Sequence, residues 1–153
     1  MNKFMKIAKD EADLGISIND GGPFGAIITD KEGNIIAVGH NTVLSHNDPT
    51  AHAEINAIRN ACAKLNTYDL TDYTLYTSCE PCPMCLSAII WANIKEIYYA
   101  CTREDAAKIG FRDDLIYEYL KGNKSDLITL KQIDRDECIS TFEKYKNDNK
   151  IIY

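Results

Sequence analysis

YTLYTSCEPCPMCLSAIIWAN (Tyr73–Asn93) reads as a strand, YTLYTS, followed by a cysteine segment that opens a helix running to about Asn93. Pro81 is tolerated at a helix's first turn, where a missing N–H breaks no bond. Cys82 and Cys85 then lie on the opening turn, three apart and on one face, while Cys79 sits before the proline at the strand's end. Upstream, AHAEINAIRNACAKLN (Ala51–Asn66) reads as a helix with Ile55, Ile58, Cys62 and Leu65 as its buried stripe. FGAIITD and NIIAVG form a hairpin through the turn Asp30–Gly33. The opening NKFMKIAKDEADLGIS is a helix with Phe4, Ile7, Ala8, Glu11, Ala12 and Leu14 on one face. Downstream come a strand IKEIYYA, a loop and short helix in GFRDDLIYEYLKG, a fifth strand DLITLKQI, a last helix DRDECISTFEKYKND and the tail NKIIY. Strands alternating with helices after a hairpin imply an α/β class, a three-layer α/β/α sandwich on a five-stranded mixed sheet.

The 153 residues suit a single domain, 1–153, with neither an internal repeat nor a Pro/Ser-rich linker. Charges at Lys6, Lys9, Asp10 and Glu11 interrupt the N-terminus, so no secretory h-region is read there, and no apolar run approaches a membrane span. A cytoplasmic location is expected, and with it free cysteines: six clustered and scattered thiols point to metal or redox use more than to disulfides. Cys62, Cys101 and Cys138 are read as small buried hydrophobes. The formal charge is −6. Lys144, Lys146 and Lys150 are diluted by Glu143 and Asp148, so a nucleic-acid partner is disfavoured.

Chemistry concentrates in His52-Ala53-Glu54 and Pro81-Cys82-Pro83-Met84-Cys85, each opening a helix. Thiolate and imidazole in tetrahedral array suit zinc, and C-x-x-C folds two sulfurs onto one ion. Three readings compete. An iron–sulfur cluster would need a further Cys-Pro where Ile89 and Ile90 stand. A closed knot of Cys79, Cys82, Cys85 and His52 leaves Glu54 without a role. An open site of His52, Cys82 and Cys85, with water in the fourth position, makes Glu54 the general acid/base. A thioredoxin-like use of C-x-x-C has no need of His52. A zinc-stabilised binding module without catalysis is the reading from another class, and an intact Glu54 argues against it. H-x-E followed by P-C-x-x-C is the pattern of zinc-dependent base deaminases.

With GGPFGA, NDPTAHAE, AIR, LYTSCEPCPMCL, Trp91, DAA--GF-D and a terminal Tyr153, the chain resembles the cytidine deaminase-like superfamily over essentially its full length. Within it the similarity is greatest to the small bacterial guanine deaminases. That resemblance implies zinc as cofactor on His52, Cys82 and Cys85, with Glu54 as proton shuttle. It implies hydrolysis of guanine to xanthine and ammonia, with guanosine, cytosine or a tRNA adenosine as alternative substrates. Asn41 and the backbone at Ala53 would bind the purine, Trp91 would line its pocket, Asp113 and Tyr153 would contact the guanine edge, and Phe24 would pack on the base. It further implies a homodimer whose C-terminal segment, about 135–153, crosses to the partner. Arg112 departs from the pattern by placing a cation beside Asp113 or Asp114.

Overall fold

The computed structural model describes residues 1–153, which form two compact units, 1–114 and 115–153. In the first, helix α1 (Lys3–Ser17) precedes β1 (Gly25–Thr29) and β2 (Ile35–His40), followed by the short α2 (Val43–His46) and α3 (Ala53–Leu65). Then come β3 (Thr74–Cys79), α4 (Pro83–Trp91), β4 (Glu96–Cys101) and α5 (Arg103–Lys108). The second unit holds α6 (Asp114–Leu120, starting at the boundary) and α7 (Arg135–Asn147). No helix is long and apolar enough to cross a membrane.

The sheet order is β2-β1-β3-β4, with β1 antiparallel to both neighbours and β3 parallel to β4. The mixed sheet is as expected, but it has four strands and not five. DLITLKQI carries the β-branched residues Ile128, Thr129 and Ile133, yet residues 126–133 pair with no strand and remain irregular. Strand propensity reports fit to a pleated, half-buried surface, and a segment without a partner strand has no such surface.

Register places the layers. Gly25 pairs with His40, and α1 packs on that face. Ala26 pairs with Gly39 and with Thr77, and Ile28 with Leu75; this opposite face meets α3 and α4. β1, covered on both sides, is buried throughout, and each fully buried isoleucine there contributes about 1.5–3 kcal/mol of transfer free energy. In α3 the buried stripe is Ala53, Glu54, Ala57 and Ala61, with the expected Ile58, Cys62 and Leu65 flanking it and Ile55 only half-buried. Alanines win the centre because the helix lies against Gly39, where a Cβ would stand 2.6 Å from the Ala53 carbonyl oxygen and the Ala57 nitrogen. On α1 the buried positions are Ala8, Ala12 and Gly15, and Leu14 is exposed, contrary to its place in the expected stripe.

The antiparallel β1–β3 pairing brings the end of β3 beside the start of β1, and the ends of β2 and β4 share that edge. Both α3 and α4 begin there, which gathers the motif residues along one rim of the sheet.

Candidate metal centre and active site

His52 is the N-cap of α3 and Cys82 the N-cap of α4; neither helix start has a side-chain cap hydrogen bond. Their first-turn N–H groups and the positive ends of two helix dipoles therefore face the same rim, which favours anionic sulfur and carboxylate there. Pro83 occupies the first helical position of α4, and Cys85 follows two residues later, fully buried.

One ligand atom each from His52, Cys82 and Cys85 lies within 4.8 Å of the others. His52 Nδ1 is 3.6 Å from Cys82 Sγ and 3.5 Å from Cys85 Sγ. Zinc bonds of about 2.3 Å to sulfur and about 2.05 Å to nitrogen, at tetrahedral angles, put sulfur and nitrogen about 3.6 Å apart. The donor set therefore fits zinc in both chemistry and spacing. Because Nδ1 faces the sulfurs, a ligating His52 carries its proton on Nε2. The Cys82 thiol is pulled down to about 4, first by the hydrogen bond from Cys85 and then by His52, against its burial. Cys85 is pushed up by that sharing and by burial. His52 is raised, chiefly through its contact with Cys82.

Cys79 stands outside this group. Its thiol is buried, points 3.6 Å from the Thr102 carbonyl oxygen, and is pushed up to about 12 chiefly by burial. That is a neutral thiol engaged with backbone, so the triangle of donors has no fourth cysteine.

Glu54 is the second residue of α3, in its first turn, and only 6% of its surface is exposed. Burial raises its carboxyl above the ordinary range. Its Oε1 is 3.1 Å from the hydroxyl of Thr77, which is itself fully buried and also 3.1 Å from the Cys79 carbonyl oxygen. A buried carboxylate with a raised pKa beside a metal triangle is suited to move protons near neutral pH.

Asn41 follows β2 on the same rim and is buried. Its backbone N–H donates to Phe24 O at 3.0 Å, and its Oδ1 accepts from Gly22 N–H at 3.3 Å and Val43 N–H at 3.1 Å. With the oxygen so occupied, Asn41 presents its Nδ2 as a hydrogen-bond donor. Phe24 makes an edge-on contact with Phe111, the ring centroids 5.0 Å apart. Ala53, fully buried, opens α3 between His52 and Glu54. Asp113 is half-buried and its carboxyl is raised, first by burial and then by the Cys82 charge, so it belongs to the same electrostatic neighbourhood. Arg112 turns to Asp114, with contacts of 2.7 and 3.2 Å, and leaves Asp113 to the site.

Two further expected residues are exposed. Trp91 ends α4, nine residues beyond Cys82, or about 13 Å along the helix, and is 68% exposed. Tyr153 is exposed at the end of the second unit, where Tyr145 donates to the Ile151 carbonyl at 2.5 Å. Sequence reasoning missed Thr77, which no motif marks, and Glu80, whose carboxylate accepts from Arg103 N–H at 3.2 Å and ties the cysteine turn to α5. It also missed Asn56, whose Nδ2 holds the His40 carbonyl at 2.8 Å and Thr42 Oγ1 at 2.9 Å.

Residues 1–101 match the family described as the cytidine and deoxycytidylate deaminase zinc-binding region. The chain belongs to that deaminase family. This deaminase is 49% identical to the guanine deaminase of Bacillus subtilis (strain 168), over 94% of this chain and 92% of that one. It is 35% identical to a tRNA-specific adenosine deaminase of Haemophilus influenzae, over 98% of this chain and 87% of that one. The X-ray structure of guanine deaminase from Bacillus subtilis superposes with a TM-score of 0.93 at 47% identity, covering 100% of this chain and 99% of that chain. A guanine deaminase from Nitrosomonas europaea gives 0.69 at 35% identity, over 72% and 63%. The deaminase's metal is zinc, which its family binds and its donor set fits.

Proposed function

We propose that this chain is a zinc-dependent hydrolase that converts guanine and water to xanthine and ammonia. The observation that carries the chemistry is the three-donor triangle of His52, Cys82 and Cys85 with the buried Glu54 carboxylate beside it. The full-length similarity to a guanine deaminase supports the choice of base. The acidic charge of −6 disfavours a polyanionic tRNA substrate.

Zinc held by His52, Cys82 and Cys85 supplies Lewis acidity, bringing the pKa of water towards ~7. Glu54 takes the proton of the attacking water, hands it to a ring nitrogen of the purine, and then assists departure of the 2-amino group as ammonia. Asn41 donates through Nδ2 to an acceptor on the base, the Ala53 backbone contributes a second contact, and Phe24 packs on the ring. Asp113 reads the guanine edge.

The second unit supports a dimer in which its C-terminal segment completes a neighbouring site. None of residues 115–153 is buried, and Leu130, Phe142, Ile151, Ile152 and Tyr153 are strongly exposed. A unit this small with no core of its own gains stability by packing on a partner. In that arrangement Tyr153 and Trp91 act across the interface.

The test is ammonia release from guanine by the zinc-loaded protein, with Glu54→Ala as control. Release that disappears in the control is expected. Absence of release from guanine, with release from guanosine or cytosine, would reassign the substrate.

A further inference from the structure

Directly before Asn41, at the end of β2, His40 occupies a cluster that the proposed reaction leaves unused. Its ring lies on the α1 face, against Gly15, where a Cβ would stand 2.9 Å from His40 Cδ2. Nδ1 is 3.1 Å from Glu11 Oε2, and Nε2 is 2.8 Å from Asp20 Oδ2. The three side chains are 17%, 19% and 22% exposed. A neutral imidazole has one N–H and one lone pair. With a carboxylate at each nitrogen, the neutral ring would set a lone pair against an anionic oxygen. Only the imidazolium satisfies both contacts.

The groups facing the ring are Glu11 from α1 and Asp20 from the loop that follows; Asp20 is in turn within the influence of His46 and Ser45 on α2. From α3 the neutral Asn56 binds the His40 carbonyl. Burial is the largest single influence on the ring and opposes its charge, yet the two carboxylates together outweigh it and hold His40 above 6.5.

Asp20 passes this anchorage on. Its N–H donates to Gly15 O at 2.9 Å, and its carbonyl accepts from Leu44 N–H and Ser45 N–H at 3.0 Å each. Two residues later Gly22 N–H reaches Asn41 Oδ1. Between them Gly21 lies so close that a Cβ would stand 2.1 Å from Asn41 Oδ1. The Asp20–Gly22 loop thus rests directly on the carboxamide that presents a donor to the purine.

We propose that His40, as an imidazolium clamped between Glu11 and Asp20, is the positioning residue for Asn41, and that its protonation sets the affinity for the purine base. This rests on the reading of Asn41 as a base contact. When the ring loses its proton one of the two links is lost, two carboxylates face each other across a neutral ring, and the loop no longer fixes the Asn41 carboxamide. Binding weakens while the proton shuttle at Glu54 is untouched.

The experiment measures kcat and KM for guanine with the zinc-loaded full chain from about pH 6 to about pH 9, for wild type, His40→Gln and Asp20→Asn. The expected result is a wild-type KM that rises with pH relative to His40→Gln. In both variants KM at low pH should be raised roughly fivefold to tenfold, the scale of one charge-assisted hydrogen bond, with kcat little changed. Superimposable KM–pH profiles for wild type and His40→Gln would overturn the proposal. NMR of the His40 ring nitrogens and the Asn41 side-chain amide gives a readout independent of turnover. Asn41 amide signals that move with the His40 titration support the clamp, and signals indifferent to it refute it. A wild type that binds zinc but leaves guanine untouched would sink the assigned substrate, and the NMR arm would still decide the clamp.

Discussion

Glu54 shows what a single side chain can demand of its surroundings. Placing an ionised carboxylate in the α3–sheet interface is unfavourable, and its raised pKa measures that cost in direction. The folded state binds this proton more tightly than the unfolded chain does, so the contribution to stability is best below about 4.5 and declines as pH rises through the higher folded value. Glutamine has the same shape and no charge to bury. Glu54→Gln is therefore expected to raise the melting temperature of the zinc-free protein at neutral pH, to retain zinc, and to lose about 10²–10⁴-fold in kcat. Calorimetry, metal analysis and turnover on one preparation check all three. A variant that melted lower and kept its rate would show that the carboxylate serves packing and not proton transfer.

The difference between Cys79 and Cys82 is a difference of elements. Cys79 closes β3 and follows strand alternation, with Leu75, Thr77 and Cys79 turned towards the buried face; Cys82 caps α4 and is aimed by the first turn of a helix. Equal spacing in sequence thus yields two sulfurs in the donor triangle and one backbone-bound thiol. Cys79→Ser is expected to leave one zinc per chain with affinity changed by no more than about tenfold, as for a neighbour of the site, whereas Cys82→Ser loses stoichiometric metal. Competition with a chromogenic chelator distinguishes these, and equal losses would restore the closed knot. The helix-opening motifs were legible because C-x-x-C and H-x-E each impose a local geometry, although Pro81 lies before the helix and it is Pro83 that takes the first helical position behind the Cys82 cap. The α3 stripe was legible only to within about one helical position, since the decisive factor was how closely Gly39 lets the helix approach. His40 carried no local mark, as its partners Glu11 and Asp20 are brought to it by the β1–β2 hairpin and α1. The missing fifth strand failed for the converse reason: its residues suit a sheet, but suitability does not supply a neighbour.

For the molecule as a whole, the contrast is between a first unit with a continuous core and a second unit of exposed residues. On the first unit Ile90 and Trp91 on α4 and Tyr98 and Tyr99 on β4 are likewise exposed. Exposed large apolar side chains of this kind are the usual material of a protein–protein contact. Light scattering after gel filtration is expected to give twice the chain mass. Removing residues 115–153 should leave the zinc-binding unit monomeric, with guanine turnover lost together with Tyr153. A full-length monomer with full turnover would refute the exchange of segments.

The Thr77 hydroxyl has one hydrogen and two acceptors at equal distance, Glu54 Oε1 and the Cys79 carbonyl. While Glu54 is ionised, the hydroxyl can point to it; once Glu54 takes up a proton, the acid can donate to Thr77 Oγ1 and the hydroxyl can swing to the strand carbonyl. The ionised carboxylate thus keeps its donor and the protonated acid finds an acceptor, so the two charge states of Glu54 can interchange by a rotation about one C–O bond of Thr77, with no atom of the backbone obliged to move.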